Sequence, residues 1–205
     1  MDEKIARTID ALNRHRFKAG YAQDKDECLQ QLLKLIPVSA AVGVPGSATV
    51  RATGVVEALR ERGQTVYDHW GKELSRGQAL QVRHRQLQCD LLLTSANAVT
   101  ETGEILNMDG IGNRVAATIF GPGRVVIVAG RNKIVPTLSA GRKRIMNIAA
   151  PKRARELEIK TPCAQTGVCS NCDVPDRICR VEVILHRAPS LTPIAVIVVD
   201  EDLGN

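Results

Sequence analysis

The chain has 205 residues, of which 44% are hydrophobic, so it is long enough to bury a substantial core within one domain. Its formal net charge of +6 favours an anionic partner, either a nucleic acid or a small phosphorylated or carboxylated ligand. Aromatic residues make up only 2% of the chain, which argues against a protein that stacks nucleic-acid bases on aromatic rings.

The distribution of charge also argues against a membrane segment. No stretch approaches the roughly 20 uninterrupted apolar residues that a membrane-spanning helix needs. Charged residues occupy the amino terminus, where a secretory signal would place an apolar segment. We therefore expect a cytoplasmic protein without a membrane span, in which thiols stay reduced.

The first 37 residues are predicted to form two helices that extend from the main body. Ile5, Ile9 and Leu12 share one face of the first helix, which is the pattern of an amphipathic helix. The second helix, residues 24–36, begins after a capping aspartate and ends at Pro37.

Strand and helix signals then alternate along the chain. Apolar runs predict strands at residues 40–44, 65–70, 89–96 and 124–130, and amphipathic runs predict helices at 49–63 and 75–87. Such alternation indicates an α/β fold with a mainly parallel sheet flanked by helices.

Further elements follow this alternating region. One or two helices around Pro151 are predicted within residues 135–159, and strands are predicted at 181–187 and 194–203. The cysteine-rich loop at 161–180 is inserted between sheet elements, after the strand at 124–130 and before the strand at 181–187. The sequence thus predicts one α/β domain spanning residues 1–205.

Two polar loops follow predicted strands, at the place where open parallel sheets bind ligands. The first loop, GVPGSATVR, contains Gly46, Ser47 and Thr49. Glycine lets a ligand approach the backbone closely, and the two hydroxyls can hold an anion. Ser47 has an equally plain structural role, because it can cap the following helix.

The second loop, residues 95–124, is rich in glycine, amide and charged side chains, which are costly to bury without partners. It supplies Glu101 as a candidate catalytic base or nucleophile and Arg114 as a candidate anion clamp. The other candidate ligand-binding residues of this loop are Asn97, Asn107, Asp109, Gly110, Gly112 and Asn113. Simple turn formation is the alternative explanation for its Asn, Asp and Gly residues. The chain contains neither a dinucleotide-binding fingerprint nor the phosphate loop of ATP-binding proteins.

Four of the six cysteines, Cys163, Cys169, Cys172 and Cys179, fall within seventeen consecutive positions. In a reducing compartment such a cluster indicates a metal site rather than disulfides. Four thiolates suit either a 4Fe-4S cluster or zinc. The single CxxC pair with longer arms favours the cluster, because structural zinc usually has two such pairs. The spacing is similar, though not identical, to the iron-sulfur loop of endonuclease-III-type DNA glycosylases, and zinc stays open as the alternative.

The central stretch TSANAVTETGEILNMDGIGNRVAATIFGPGRVVIVAGRNKIV, together with GVPGSATVR, resembles the LUD-domain family of lactate utilization proteins. The resemblance extends over most of the chain. It implies an α/β fold similar to that of sugar-phosphate isomerases, CoA transferases and 5-formyltetrahydrofolate cyclo-ligase. By analogy with those proteins it places Gly46, Ser47 and Thr49 at an anion site and Glu101 near the reactive centre. The chain lacks the glutamate motif of CoA transferases and a phosphate-loop lysine, so neither of those activities is carried over.

Together, the resemblance and the cysteines favour a role in the utilization of lactate or a related 2-hydroxy acid. The protein would be a subunit or accessory of a redox complex with iron-sulfur partner subunits, and it would bind a small anionic ligand. The alternative is a stand-alone transferase or ligase-like enzyme that acts on a phosphorylated or CoA-linked ligand. Nucleic-acid binding is the least favoured hypothesis, because the basic residues form no concentrated stripe. Assembly into a homo-oligomer is compatible with each of these functions.

Overall fold

The computed structural model describes residues 1–70 and 74–205, and their main feature is a six-stranded sheet in which all neighbouring strands run parallel. In spatial order the strands are β1 (Lys18–Ala22), β10 (Ile194–Val199), β7 (Val125–Gly130), β4 (Leu91–Ser95), β2 (Val42–Val44) and β3 (Val66–Asp68). Helices flank this sheet, so the predicted α/β fold with a mainly parallel sheet is confirmed.

The central strands are continuous apolar runs because both of their faces are covered. In β7, Val126 and Val128 pack into one hydrophobic core, whereas Val125 and Ile127 pack into another. Successive side chains of a strand point to opposite faces, so the two cores lie on opposite sides of the sheet.

Helices on the two faces of the sheet add further side chains to these cores. The helices of the described residues are α1 (Glu3–Arg14), α2 (Lys25–Leu35), α3 (Ala48–Ala52), α4 (Val55–Glu61), α5 (Arg76–Gln86), α6 (Asn113–Ile119), α7 (Leu138–Arg144), α8 (Ala150–Glu156) and α9 (Pro162–Thr166). Leu32 of α2 and Leu59 of α4 pack into the first core, and Leu12 of α1 packs into the second. In the described part of the chain, no helix combines the length and apolar character needed to cross a membrane.

The amino-terminal region differs from the two-helix extension that we predicted. Residues 18–22 form β1, which pairs in parallel with β10 at the edge of the main sheet. The segment KAGYA has neither an apolar run nor a strict alternation, so its strand character comes from pairing with β10. Both helices of this region contribute fully buried residues, such as Leu12 and Leu32, to the cores.

A second, smaller sheet takes two of its four strands from the polar stretch at residues 95–124, which we predicted as a loop. Its strands, in spatial order, are β8 (Ile134–Val135), β5 (Ala98–Thr100), β6 (Ile105–Asp109) and β9 (Val181–Leu185). β6 runs antiparallel to both β5 and β9. The predicted strand at 181–187 therefore belongs to this sheet and not to the main one.

One continuous helical rod connects the small sheet to the cysteine segment. α7 is followed by a π-helical turn, Ile145–Ala149, and then by α8. The wide turn lies directly before Pro151, which has no N–H to donate to a helix bond. The cysteine segment follows α8, contains the short helix α9, and leads into β9.

Candidate functional site

A cavity of about 380 Å³ lies at the carboxyl ends of four strands of the main sheet. The lining residues that follow β2, β3, β4 and β7 are Pro45–Thr49, His69, Trp70, Ser95–Asn97 and Lys133. The other lining residues are Arg83, residues 108–111, Asn113, Arg114, Ile145, Ala149, Ala150, Arg153, Leu157, Ile178, Cys179 and Asn205. This is the edge at which open α/β sheets bind ligands, as the sequence predicted for the first loop.

The loop after β2 has the backbone that its glycine allows. Gly46 has a φ of +76°, and a Cβ at this position would lie 2.7 Å from Cε2 of Trp70. Only glycine combines this backbone with the close approach of the indole ring.

The two hydroxyls of this loop already have partners. The Ser47 hydroxyl accepts a hydrogen bond from the Val50 N–H (3.2 Å) and so caps α3, which is the structural role expected beside the functional one. The Thr49 hydroxyl donates to the carbonyl of Leu203 (3.2 Å) and is 1% exposed. Both residues line the cavity, but their described contacts are structural.

Arg114, which we predicted as an anion clamp, lines the cavity and makes many contacts within the protein. Its Nε donates to Asp109 Oδ1 (3.0 Å), and its Nη2 donates to Asn97 Oδ1 and to the carbonyl of Met108 (each 2.9 Å). Its Nη1 donates to the carbonyl of Ser95 and to the side chain of Asn107. Its donors are therefore used to hold the small sheet against β4, and Asp109, Asn97 and Asn107 are the partners that fix it.

The remaining predicted residues of this region divide between the cavity and its surroundings. Gly110 and Asn113 line the cavity, and Asn113 Nδ2 is a buried donor with no partner in the described residues. Gly112 precedes α6 with a φ of +93° and is not among the lining residues. The unpaired Nδ2 of Asn113 is available to donate to an acceptor atom of a ligand.

Glu101, the predicted catalytic residue, is not among the residues that line the cavity. It follows β5, and its carboxylate accepts a hydrogen bond from Arg7 of α1 (3.3 Å). The structure brings Gly46, Ser47, Thr49, Asn97, Asp109 and Arg114 to one cavity, but it does not bring Glu101 to them.

Lys133 is a lining residue that we did not predict. It is only 3% exposed, and its Nζ donates to Thr49 Oγ1 (2.6 Å), Ser95 Oγ (2.8 Å) and the carbonyl of Ala96 (3.1 Å). All three acceptors are uncharged. The available sequence signal was its position three residues after the apolar strand β7, at the ligand-binding edge of the sheet.

The surroundings of Lys133 disfavour its charged form. Burial lowers the pKa of this amine well below its ordinary value, and the positive charges of Arg144, Arg114 and Lys152 lower it further. In the described residues no carboxylate forms an ion pair with it.

His69 and Trp70 complete the wall next to β3. Burial lowers the pKa of His69 to about 4, and the charge of Arg83 adds to this effect, so the imidazole is neutral near pH 7. Two guanidinium groups contact the Trp70 ring, with Arg51 at 4.6 Å and Arg153 at 4.4 Å from its centroid.

The overall charge of the cavity is positive. Among its described lining residues, Arg83, Arg114, Lys133 and Arg153 are basic, and Asp109 is the acidic one. Asp109 is paired with Arg114 at 2.7 Å. The cavity is therefore suited to an anionic ligand.

The four clustered cysteines line a second, small cavity of about 20 Å³. Cys163 is buried, and the other three are half-buried. Burial raises the pKa of the Cys179 thiol, and the neighbouring Cys169, Cys163 and Cys172 raise it further, as expected for thiols that lie close together.

The groups around these thiols suit bound thiolates. Arg177 borders the same cavity and donates to the carbonyls of Cys172 (2.5 Å) and Cys179 (2.8 Å). The Asn171 N–H lies 3.4 Å from Cys169 Sγ. A cation and an amide donor of this kind offset the negative charge of a thiolate-bound metal, so the donor set fits either predicted metal group chemically.

The described residues nevertheless do not show the metal site that we predicted for this loop. Among residues 1–70 and 74–205, no group of three or more His, Cys, Asp or Glu side chains is arranged to hold a metal ion. The thiols border one cavity without being closed around a common centre.

The two cavities share a wall. Ala150, Ile178 and Cys179 line both of them. The helical rod separates them elsewhere, because Ile145 and Ala149 face the large cavity and Met146 faces the small one. Cys179 is thus the cysteine that joins the thiol cluster to the ligand cavity.

Comparison with known proteins agrees with this architecture. The LUD domain family matches residues 5–199 of the chain. A similar solved structure is the 1.70 Å crystal structure of a DUF162 family protein from Deinococcus radiodurans, which is 18% identical, with a TM-score of 0.57 and 96% of each chain covered. That likeness supports the fold alone, and no curated protein matches the chain. Since the family match spans nearly the whole sequence, the chain belongs to the LUD domain family.

Proposed function

We propose that this LUD protein serves the utilization of lactate or a related 2-hydroxy acid in the cytoplasm, as a subunit or accessory of a redox complex. The large cavity would bind the organic acid, and the four cysteines would hold a 4Fe-4S cluster. The observation that carries the proposal is the position of Cys179, which lines both the ligand cavity and the thiol cavity.

The positive lining supports an acid as the ligand. Arg83 and Arg153 contribute positive charge to the cavity, whereas Asp109 is neutralised by its pair with Arg114. A volume of 380 Å³ lies within the range of about 300–1,000 Å³ found for ligand pockets. The cavity therefore has room for 2-hydroxy acids with longer side chains than lactate.

The thiol cavity supports a cysteine-bound metal group. Cys163, Cys169, Cys172 and Cys179 would hold it, and Arg177 and the Asn171 N–H would offset its negative charge. A 4Fe-4S cluster would supply one-electron transfer at the shared wall, whereas zinc, the alternative, would only stabilise the loop. Electrons would pass to or from iron-sulfur partner subunits.

The visible absorption spectrum of protein purified without oxygen tests the proposal. We expect the absorption of an iron-sulfur cluster, and we expect it to shift when lactate or pyruvate is added, because the ligand would lie against Cys179. Acetate, which has the carboxylate but no 2-hydroxy or 2-oxo group, is the matched control ligand. A spectrum with no cluster absorption, or one that is insensitive to all three acids, would contradict the proposal.

The alternative function is a transferase or ligase-like enzyme that acts on a phosphorylated or CoA-linked ligand. The same positive cavity favours it, but the position of Glu101 outside the lining gives it no nucleophile from our predicted set. Calorimetric titrations with lactate and with CoA separate the two functions. Tight binding of CoA together with no response to 2-hydroxy or 2-oxo acids would favour the alternative.

A further inference from the structure

The side-chain amine of Lys133 differs from two of the other basic groups of the ligand cavity. Arg114 is paired with Asp109, and Arg153 is paired with Glu156. Lys133 contacts uncharged oxygens, and in the described residues it forms no ion pair. An isolated buried ammonium is costly, so the neutral amine is favoured more than it would be in water.

Its neighbours are arranged as they are around reactive lysines. A lysine becomes a nucleophile at neutral pH when it is desolvated or placed beside other cations. Lys133 meets both conditions, because it is 3% exposed and lies near Arg144, Arg114 and Lys152. Lys133 also lines the ligand cavity, so its side chain lies at the wall that a ligand would contact.

We propose that Lys133 Nζ condenses with the carbonyl carbon of a 2-oxo acid in this cavity and forms an imine. This inference rests on the proposed function in its choice of 2-oxo acids, the oxidised counterparts of 2-hydroxy acids. The cationic lining holds the carboxylate of the acid, while the amine faces its carbonyl group.

The reaction is balanced without any further reactant. The lone pair of Nζ attacks the carbonyl carbon, a C–N bond forms, and the carbonyl oxygen takes up a proton. Loss of a second proton from nitrogen and departure of the oxygen as water then leave the C=N bond. Both protons that the oxygen takes up come in the end from Nζ, so the amine and the acid together supply every atom of the imine and the water. The hydroxyl oxygens of Thr49 and Ser95, which accept from Nζ at 2.6 Å and 2.8 Å, hold the amine in the cavity wall.

Reductive trapping tests this inference on the full wild-type chain. The protein is incubated with pyruvate, reduced with borohydride, digested and mapped by mass spectrometry. We expect one reduced pyruvate adduct, located at Lys133. No adduct at Lys133, or adducts spread over the exposed lysines, would overturn the inference.

Two variants sharpen the result. Lys133→Met removes the amine and keeps an unbranched side chain, so trapping should fall by about tenfold or more. Lys143→Arg is the matched control, because Lys143 is exposed on α7, and it should label as the wild type does. The site assignment on the wild type does not depend on whether Lys133→Met folds.

The outcome can be separated from that of the proposed function. Iron content and trapping are measured on the same preparation. Labelling of Lys133 in iron-free protein would support the inference although the proposed cluster is missing. Iron-loaded protein that is not labelled at Lys133 would overturn the inference and leave the cluster proposal standing.

Discussion

At the scale of single residues, the contact between Gly46 and Trp70 shapes one wall of the ligand cavity. In Gly46→Ala the new methyl group meets the indole ring and the backbone keeps a positive φ, so both effects destabilise the fold. We expect a loss of about 2–4 kcal/mol in the free energy of unfolding, measured with urea. The emission of Trp70, the one tryptophan of the chain, should also shift.

Gly63→Ala is the matched control for this variant. Gly63 has a similar φ of +72°, but a Cβ there meets no atom within 4 Å. Gly63→Ala should therefore lower the free energy of unfolding only through the strained backbone, by about 1–2 kcal/mol, and should leave the Trp70 emission unchanged. Equal effects of the two variants would show that the Trp70 contact does not constrain the cavity.

His69 makes the free energy of unfolding depend on pH, and a single substitution can measure its contribution. Its pKa falls from an ordinary value near 6.5 to about 4 on folding, so below pH 6.5 the unfolded chain binds a proton that the folded chain does not. The stability contributed by neutral His69 is complete above pH 6.5 and is lost as the pH falls towards 4. Allowing for partial exposure, we expect a loss of about 1 kcal/mol between about pH 7 and pH 5.5.

Urea unfolding of wild type and His69→Gln at both pH values measures this contribution. The loss should be smaller in the variant, while His186→Gln, which changes an exposed histidine, should behave as wild type. The interval between about pH 5.5 and pH 7 lies above the range in which Asp68 and Glu104 titrate, because the pKa of each of these carboxyls is also lowered. An unchanged pH dependence in His69→Gln would refute the assignment.

At the scale of elements, the amino-terminal helices belong to the body of the fold and are not an extension of it. Leu12 of α1 is fully buried in the core that α1 shares with β7 and β10. Leu12→Ala should lower the free energy of unfolding by about 2–5 kcal/mol, because it leaves a cavity. Leu80→Ala, at a half-exposed site on α5, should change it by about 0.5 kcal/mol or less.

If Leu12→Ala is as mild as Leu80→Ala, α1 packs more loosely than the structure indicates. Chemical denaturation followed by circular dichroism gives both values under the same conditions. An unchanged slope of the transition would show that the two variants unfold the same surface.

The elements also show what a sequence can and cannot reveal. β7 and β10 were predictable because strands covered on both faces need unbroken apolar runs. β1 was not predictable, because its strand character depends on pairing with β10, far away in the chain. β5 and β6 were missed because they lie in a polar stretch, and each also pairs with a distant strand, β8 or β9. The loop around Ser47 was predictable from strand order, whereas the burial of Lys133 appears only once β2, β4 and β7 lie side by side.

The internal contacts of Arg114 were hidden for a similar reason. Sequence identifies a basic residue among amides but does not reveal how many of its donors are already used. In the fold, Asn97, Asn107 and Asp109 all bind Arg114, so the polar loop is largely an internal network. Fewer residues of this loop face the cavity than its polar composition suggested.

At the scale of the whole molecule, one helical rod separates two cavities. One cavity lies at the edge of the main sheet, and the other lies among the four cysteines. Residues at the edge of the main sheet line the ligand cavity, and Cys179 of the cysteine segment adds to this lining. Cys28 and Cys89, in contrast, are buried in the hydrophobic cores and border neither cavity.

The metal content of protein purified without oxygen tests the central claim most directly. We expect about four iron atoms per chain in the wild type and in Cys89→Ala, and a strong loss of iron in Cys172→Ser, because only the latter removes a thiol of the cluster. The metals are counted by mass spectrometry of the acid-digested protein. A colourless protein with one zinc per chain, or equal iron in both variants, would contradict the account.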